Sequence, residues 1–157
     1  MRFLTGLAAL AALLLPGAAL AQETPAEAEV IATINTFMAA FADKDGEAMA
    51  ALLADNAFRI AVREGEGGDP VLSMPMHDVV MGIANVSADI AEPISITQVL
   101  VDGPVAMVWA DYAFYLNGER SHCGVDVFTL VRVAGEWKIA TVTDSYIADD
   151  CEDAPTP

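Results

Sequence analysis

The stretch LNGERSHCGVDVFTLVRVAGEWKIATVTDSYI, Leu116 to Ile147, decides the fold. Asn117-Gly118 is a strong signal for a two-residue hairpin, and Ala134-Gly135 is a weaker one. Between and around these turns run long β-type segments. The stretch therefore predicts consecutive antiparallel strands, Val105 to Leu116, Glu119 to Val133 and Glu136 to Ile147. Ile94 to Val101, turned by Asp102-Gly103-Pro104, adds a fourth long strand.

Upstream of the sheet the period changes. Thr24-Pro25-Ala26-Glu27 reads as a helix start, with a threonine cap, proline at the first helical position and glutamate closing a capping box. Val30, Ile31, Ile34, Phe37, Met38 and Phe41 then follow a 3.6-residue period until Asp43-Lys44-Asp45-Gly46. A shorter helix carries Met49, Leu52 and Leu53 and stops near Asp55-Asn56. Phe58 to Glu64 alternates as a half-buried strand, Gly65 to Pro70 is a loop, and Val71-Leu72 is a short strand. A third helix is predicted from Pro75 to Ala91, with Ser73 as its cap and Glu92-Pro93 as its end.

The first residues read as a secretory signal peptide. Arg2 gives a basic start, Leu7 to Leu15 are apolar, Pro16-Gly17 breaks the run, and Ala19-Leu20-Ala21 supplies the small residues of a cleavage site. The expected organisation is a signal peptide over 1–21, one domain over 22–147 and an acidic tail over 148–157. The expected location is periplasmic or secreted. Full-length net charge is −16; without Arg2, six basic residues face 23 acidic ones, a net charge of −17. That opposes binding to nucleic acid or anionic membranes, because phosphates are repelled. The charge suits a soluble exported protein and also suits neutral or cationic ligands.

The order of elements resembles the nuclear transport factor 2-like superfamily, which also holds SnoaL-like cyclases, ketosteroid isomerase and scytalone dehydratase. The resemblance spans Ala26 to Ile147. It is carried by FADKDGEAMAALLADNAF (Phe41–Phe58) and GEWKIATVTDS (Gly135–Ser145). It implies an α+β cone: a strongly curved antiparallel sheet of four long strands plus a short strand or hairpin, packed on three helices. It implies a homodimer as well. SHCGVDVFTLVR (Ser121–Arg132) is similar to an exported subgroup described as lumazine-binding-like, which implies a ligand. Superfamily members include enzymes, binders and interaction modules, so the fold leaves activity open.

Uninterrupted hairpin pairing sorts the side chains onto two faces. One face collects Trp109, Asp111, Tyr115, His122, Gly124, Asp126, Phe128, Trp137, Ile139, Thr143 and Ser145. Large Trp137 and Ile139 flank charged Lys138, so this face is predicted to be the concave one. It offers a ligand pocket with Trp109 as a wall, Gly124 as a floor, and Tyr115, Thr143 and Ser145 beside it. Asp111, His122 and Asp126 are the candidate acid–base groups, for an isomerase, dehydratase or hydrolase. The alternatives are a small-molecule binder and a dimeric module whose cone is filled by side chains. A single bulge would flip part of this map.

The other face, with Val108, Ala110, Tyr112, Phe114, Val125 and Val127, is apolar and is expected to be covered by a second copy. Cys123 points there too, away from His122, and is expected to bond Cys151 as the tail curls back. Met74, Met76, His77 and Met81 contain soft copper-type ligands, but helix capping and core packing explain them better. No metal or other cofactor is expected. Arg59 and Arg63 share a strand face and read as solvated, or as holders of an acidic group.

Overall fold

The computed structural model describes residues 24–63, 70–148 and 151–157. The signal-peptide reading, the loop from Gly65 to Asp69 and the link through Asp149-Asp150 lie outside the described residues.

Helix α1 spans Pro25–Ala42. It opens on the capping box read from the sequence: Thr24 Oγ1 accepts from the Glu27 N–H at 3.2 Å, and Glu27 Oε2 accepts from the Thr24 N–H at 2.6 Å. Its apolar stripe buries Val30, Ile34, Phe37, Ala40 and Phe41. Lys44, with φ of 55°, turns the chain out of the helix. Asp45 then caps α2, Gly46–Ala51, accepting from the Ala48 N–H at 2.9 Å. A Cβ on Gly46 would stand 3.0 Å from the Val80 carbonyl, so glycine lets α2 lie close against the third helix.

Helix α2 is shorter than predicted, because Leu53 already belongs to β1, Leu53–Arg63. Strand β2 is Val71–Pro75 and takes up Ser73, so Ser73 does not cap α3, Met76–Ile83. Pro75 occupies the cap position without a side-chain hydrogen bond. The third helix also ends eight residues before the predicted Ala91. Two tertiary contacts stop it. Lys44 Nζ donates to the Val86 and Ala88 carbonyls. Asp89 and Asn117 exchange two hydrogen bonds, backbone N–H to Asp89 O at 2.7 Å and Asp89 N–H to Asn117 Oδ1 at 3.1 Å. Held there, Ile90–Ala91 forms strand β3 against the hairpin instead of helix.

Strands β4, Ile94–Asp102, β5, Val105–Leu116, β6, Glu119–Val133, and β7, Glu136–Tyr146, complete a seven-stranded sheet. The order is β2-β1-β7-β6-β5-β3, with β4 continuing the β3 edge beside β5 past Pro93. All pairs are antiparallel except β1 with β7. The sheet curls around the helices, and the core lies between them: Ile34, Phe37, Met49, Val80, Val108, Phe128, Leu130 and Ile139 are almost wholly buried. This is the predicted α+β cone.

Both hairpins form as predicted, with left-handed φ at Asn117 and Gly118 and at Ala134 and Gly135. Leu116 pairs with Glu119, and Val133 with Glu136. Farther out each ladder slips by one residue. Ser121 is an extra residue in β6, since Tyr115 pairs with Arg120 but Phe114 with His122. Ala140 is an extra residue in β7, since Leu130 pairs with Ile139 but Thr129 with Thr141. Each bulge exchanges the faces beyond it. The concave side therefore carries Val108, Ala110, Tyr112 and Phe114 from β5, and Val142, Asp144 and Tyr146 from β7. These join His122, Asp126, Phe128 and Leu130, which the hairpin map did place inward. The physical reason is burial: the uniformly apolar β5 stripe goes to the core and takes the place of Trp109 and Asp111.

Candidate functional site

A cavity of about 470 Å³ opens between the concave sheet face and helices α1 and α3. Phe37 and Phe41 reach it from α1, and Val79 and Ile83 from α3. The sheet supplies Tyr112, Phe114, Phe128, Val142 and Tyr146. Within these apolar walls converge Arg59, Arg63, Glu92, His122, Asp126 and Asp144. Size and lining are those of a small-molecule site, apolar walls with a few placed polar groups.

The polar floor is built by register. Asp126 and Asp144 are direct partners across β6 and β7. Arg59 lies on neighbouring β1 and grips Asp144 with two bonds, Nε to Oδ1 and Nη2 to Oδ2, each 2.6 Å. This fork geometry is the strongest form of Arg–carboxylate pairing. Burial opposes the Arg59 charge, and Asp144 outweighs that effect, so the guanidinium holds its proton more tightly than usual. Asp126 is only 5% exposed and accepts no hydrogen bond from a described residue. Burial first, then the charges of Glu92 and Asp144, push its carboxyl well above the ordinary range. Glu92 sits between β3 and β4, mostly buried; burial raises it to about 7, against the pull of Arg59.

His122 is a wall as much as a polar group. Its ring stacks 4.1 Å from Tyr146 and 5.0 Å from Phe114, with Tyr112 edge-on at 5.7 Å. Burial and the positive charges of Arg63 and Arg59 lower its pKa, so the imidazole is neutral at pH 7. The bulge brings Ser121 Oγ within 3.1 Å of His122 Nδ1. Arg63 closes the outer end, its guanidinium 4.0 Å over the Tyr146 ring.

Gly124 shapes the floor from behind. A Cβ there would lie 2.2 Å from the Ser145 carbonyl oxygen. That carbonyl instead accepts the Tyr112 hydroxyl at 2.7 Å, and Ser145 Oγ accepts the Val125 N–H at 3.0 Å. Burial and the neighbouring carboxylates raise the Tyr112 pKa, so the hydroxyl stays protonated and bonded.

Of the residues proposed from sequence, His122 and Asp126 line the cavity. Asp111 and Trp109 do not. Both lie on the convex face, where Trp109 is 41% exposed. Thr143 and Ser145 sit on that face as well, across from Ile60 and Val62 of β1. Tyr115 is likewise outside, packed on the cystine and donating to the Pro155 carbonyl at 3.4 Å. The sequence reading missed Glu92, Tyr112, Asp144 and Tyr146; it offered Arg59 as a holder of an acidic group beside a solvated reading, and Arg59 does hold Asp144. The available signal was the apolar stripe of β5, which marks its inner side. Met76 is buried core, whereas His77 next to it is exposed.

Cys123 and Cys151 are joined by a disulfide. It pins the tail on the convex face, where Arg120 Nη1 donates to the Cys151 carbonyl at 3.0 Å. No helix among the described residues is long and apolar enough to cross a membrane.

Residues 25–143 match the family described as "Putative lumazine-binding", and the chain belongs to that family, within the nuclear transport factor 2-like superfamily. Solved structures agree on the fold. A protein of unknown function from Shewanella baltica OS155 is 15% identical, with 82% of this chain and 100% of that one covered, at TM-score 0.64. One from Novosphingobium aromaticivorans, described as having a cystatin-like fold, is 14% identical over 81% and 84%, at 0.63. A "putative dehydratase" from Streptomyces avermitilis is 20% identical over 79% and 97%, at 0.59. No curated protein matches the chain.

Proposed function

We propose that this is an exported protein that binds a small, partly apolar molecule inside the cone. The observation that carries the reading is the cavity of about 470 Å³, where aromatic walls surround Asp126, a buried carboxyl with no hydrogen-bond donor among the described residues. Membership of a lumazine-binding-like family supports a small-molecule ligand. The disulfide and the apolar N-terminal run support export. Native mass spectrometry of protein purified from a periplasm is the test: a retained small molecule is expected. It should disappear in Ile83→Trp, which fills the cavity from α3. Retention by that variant would refute the cavity as the site.

A second reading is acid–base catalysis in the same cavity. It is favoured by Asp126 and Glu92, two neighbouring carboxyls that both hold protons more tightly than usual. Turnover that survives Asp126→Asn would rule out Asp126 as the catalytic group.

The protein is also proposed to dimerise through its convex face. That face exposes Phe58, Leu100, Val105 and Trp109, each 41–58% accessible. Sedimentation showing only monomer at micromolar concentration would defeat this proposal.

A further inference from the structure

The deep end of the cavity is short of positive charge. Three carboxyls line it, from Glu92, Asp126 and Asp144, and Arg59 is the guanidinium set among them. Both Asp144 oxygens are taken by the two Arg59 bonds. Asp126 and Glu92 are left with no hydrogen-bond donor among the described residues. The other charged group of the lining is Arg63, at the outer end over Tyr146. His122 of β6 and Tyr112 of β5 are neutral at pH 7. Helices α1 and α3 contribute apolar lining only: Phe37, Phe41, Met76, Val79 and Ile83. A buried carboxyl without a donor is costly unless it is protonated or matched by a cation.

We infer that the ligand supplies the missing charge: it is an organic amine, its ammonium set between Asp126 and Glu92 and its flat apolar body against the aromatic walls. This rests on the small-molecule reading of the cavity. An ammonium brings three N–H donors to carboxyl oxygens that otherwise have none. Tyr112, Phe37 and Phe41 line the cavity, and an aromatic ring face favours a cation over an anion. The net charge of the chain draws cations toward the mouth. On binding, the carboxyl proton leaves to the buffer and the carboxylate–ammonium pair remains, so charge balances within the cavity. Affinity therefore rises with pH while the carboxyls are protonated in the free protein, by up to about tenfold per pH unit for one proton released.

The test is calorimetry on the disulfide-bonded chain with three indole probes that differ in the charge of the side-chain end: tryptamine, tryptophol and indole-3-propionate. Tryptamine is expected to bind at least about tenfold tighter than tryptophol at pH 8, the margin one charge-assisted hydrogen bond gives. It should tighten from pH 6 to pH 8 with release of a proton, seen as a buffer-dependent heat. Asp126→Asn should remove that preference, bringing tryptamine to within about threefold of tryptophol in the same variant. If that variant does not fold, Glu92→Gln gives the same readout. Tryptophol or indole-3-propionate binding as tightly as tryptamine overturns the inference, as does affinity that falls with rising pH. If such binding is lost in Ile83→Trp, the cavity reading stands while the amine falls. Tryptamine binding that survives Ile83→Trp is surface attraction and overturns the inference. Binding by none of the three overturns it too, and the cavity reading is then decided by the retained molecule alone.

Discussion

Gly124→Ala tests how the cavity floor is held. The backbone at Gly124 lies outside the left-handed region, so alanine brings no torsional penalty. The cost is steric. The new methyl would stand 2.2 Å from the Ser145 carbonyl oxygen and 2.9 Å from its carbon, and both are backbone atoms. Strand β7 must move, and the 2.7 Å bond from Tyr112 Oη to that carbonyl breaks. Overpacking of a tight site costs about 1–3 kcal/mol. A broken, partly buried hydrogen bond adds about 1 kcal/mol. The expected loss is roughly 2–4 kcal/mol, read from urea unfolding by far-ultraviolet circular dichroism with an unchanged m-value. Tyr112→Phe removes the bond alone and should cost about 1 kcal/mol. Because both changes break the same bond, the double variant should lose about 1 kcal/mol less than the two losses added together. A Gly124→Ala protein within about 0.5 kcal/mol of the parent, which is the range of a surface change, would refute the reasoning. So would strict additivity with Tyr112→Phe.

Glu92→Gln tests the buried acid. Folding raises this carboxyl from 4.5 to about 7, so between those values the folded chain binds the proton that the unfolded chain has lost. Its stabilising effect is therefore present below about pH 4.5 and is lost as pH rises toward 7. By pH 8 the difference amounts to roughly 3 kcal/mol, which Glu92→Gln should recover, flattening the pH profile of stability. Arg59→Met leaves Asp144 buried and unpaired, and should cost about 3 kcal/mol at pH 7; Arg59→Met with Asp144→Leu should regain most of it in the same unfolding assay. Replacing both Cys123 and Cys151 by alanine opens a loop of 28 residues in sequence separation and should lower stability by about 3 kcal/mol, and a loss under 1 kcal/mol would show that the tail contributes little.

The candidate site was half legible. His122 and Asp126 follow the hairpin map inward because β6 keeps its alternation from His122 to Leu130. Asp144 and Tyr146 were hidden on the wrong face, because the Ala140 bulge shifts β7 by one residue. Arg59 shares its face with Arg63, and its partner Asp144 is 85 residues away in sequence, so nothing local announced the pair. Glu92 read as a helix end, since α3 is stopped by Lys44 and Asn117, both distant in the chain.

The sequence by itself determined what depends on neighbours along the chain. The capping box at Thr24 and Glu27, the stripe from Val30 to Phe41, and the left-handed turns at Asn117-Gly118 and Ala134-Gly135 are local chemistry. They were enough for helices followed by four long antiparallel strands, and the cone was what the resemblance to the superfamily implied. The tertiary structure decided which side of each strand faces the helices. A long strand that must curl around a core bends at bulges, and one extra residue reverses every side chain beyond it. Ser121 and Ala140 take that role in β6 and β7. Their placement answers to the curvature of the whole sheet, which no short window of sequence contains. It turned Asp111 and Trp109 outward and brought Tyr112, Asp144 and Tyr146 in beside Asp126.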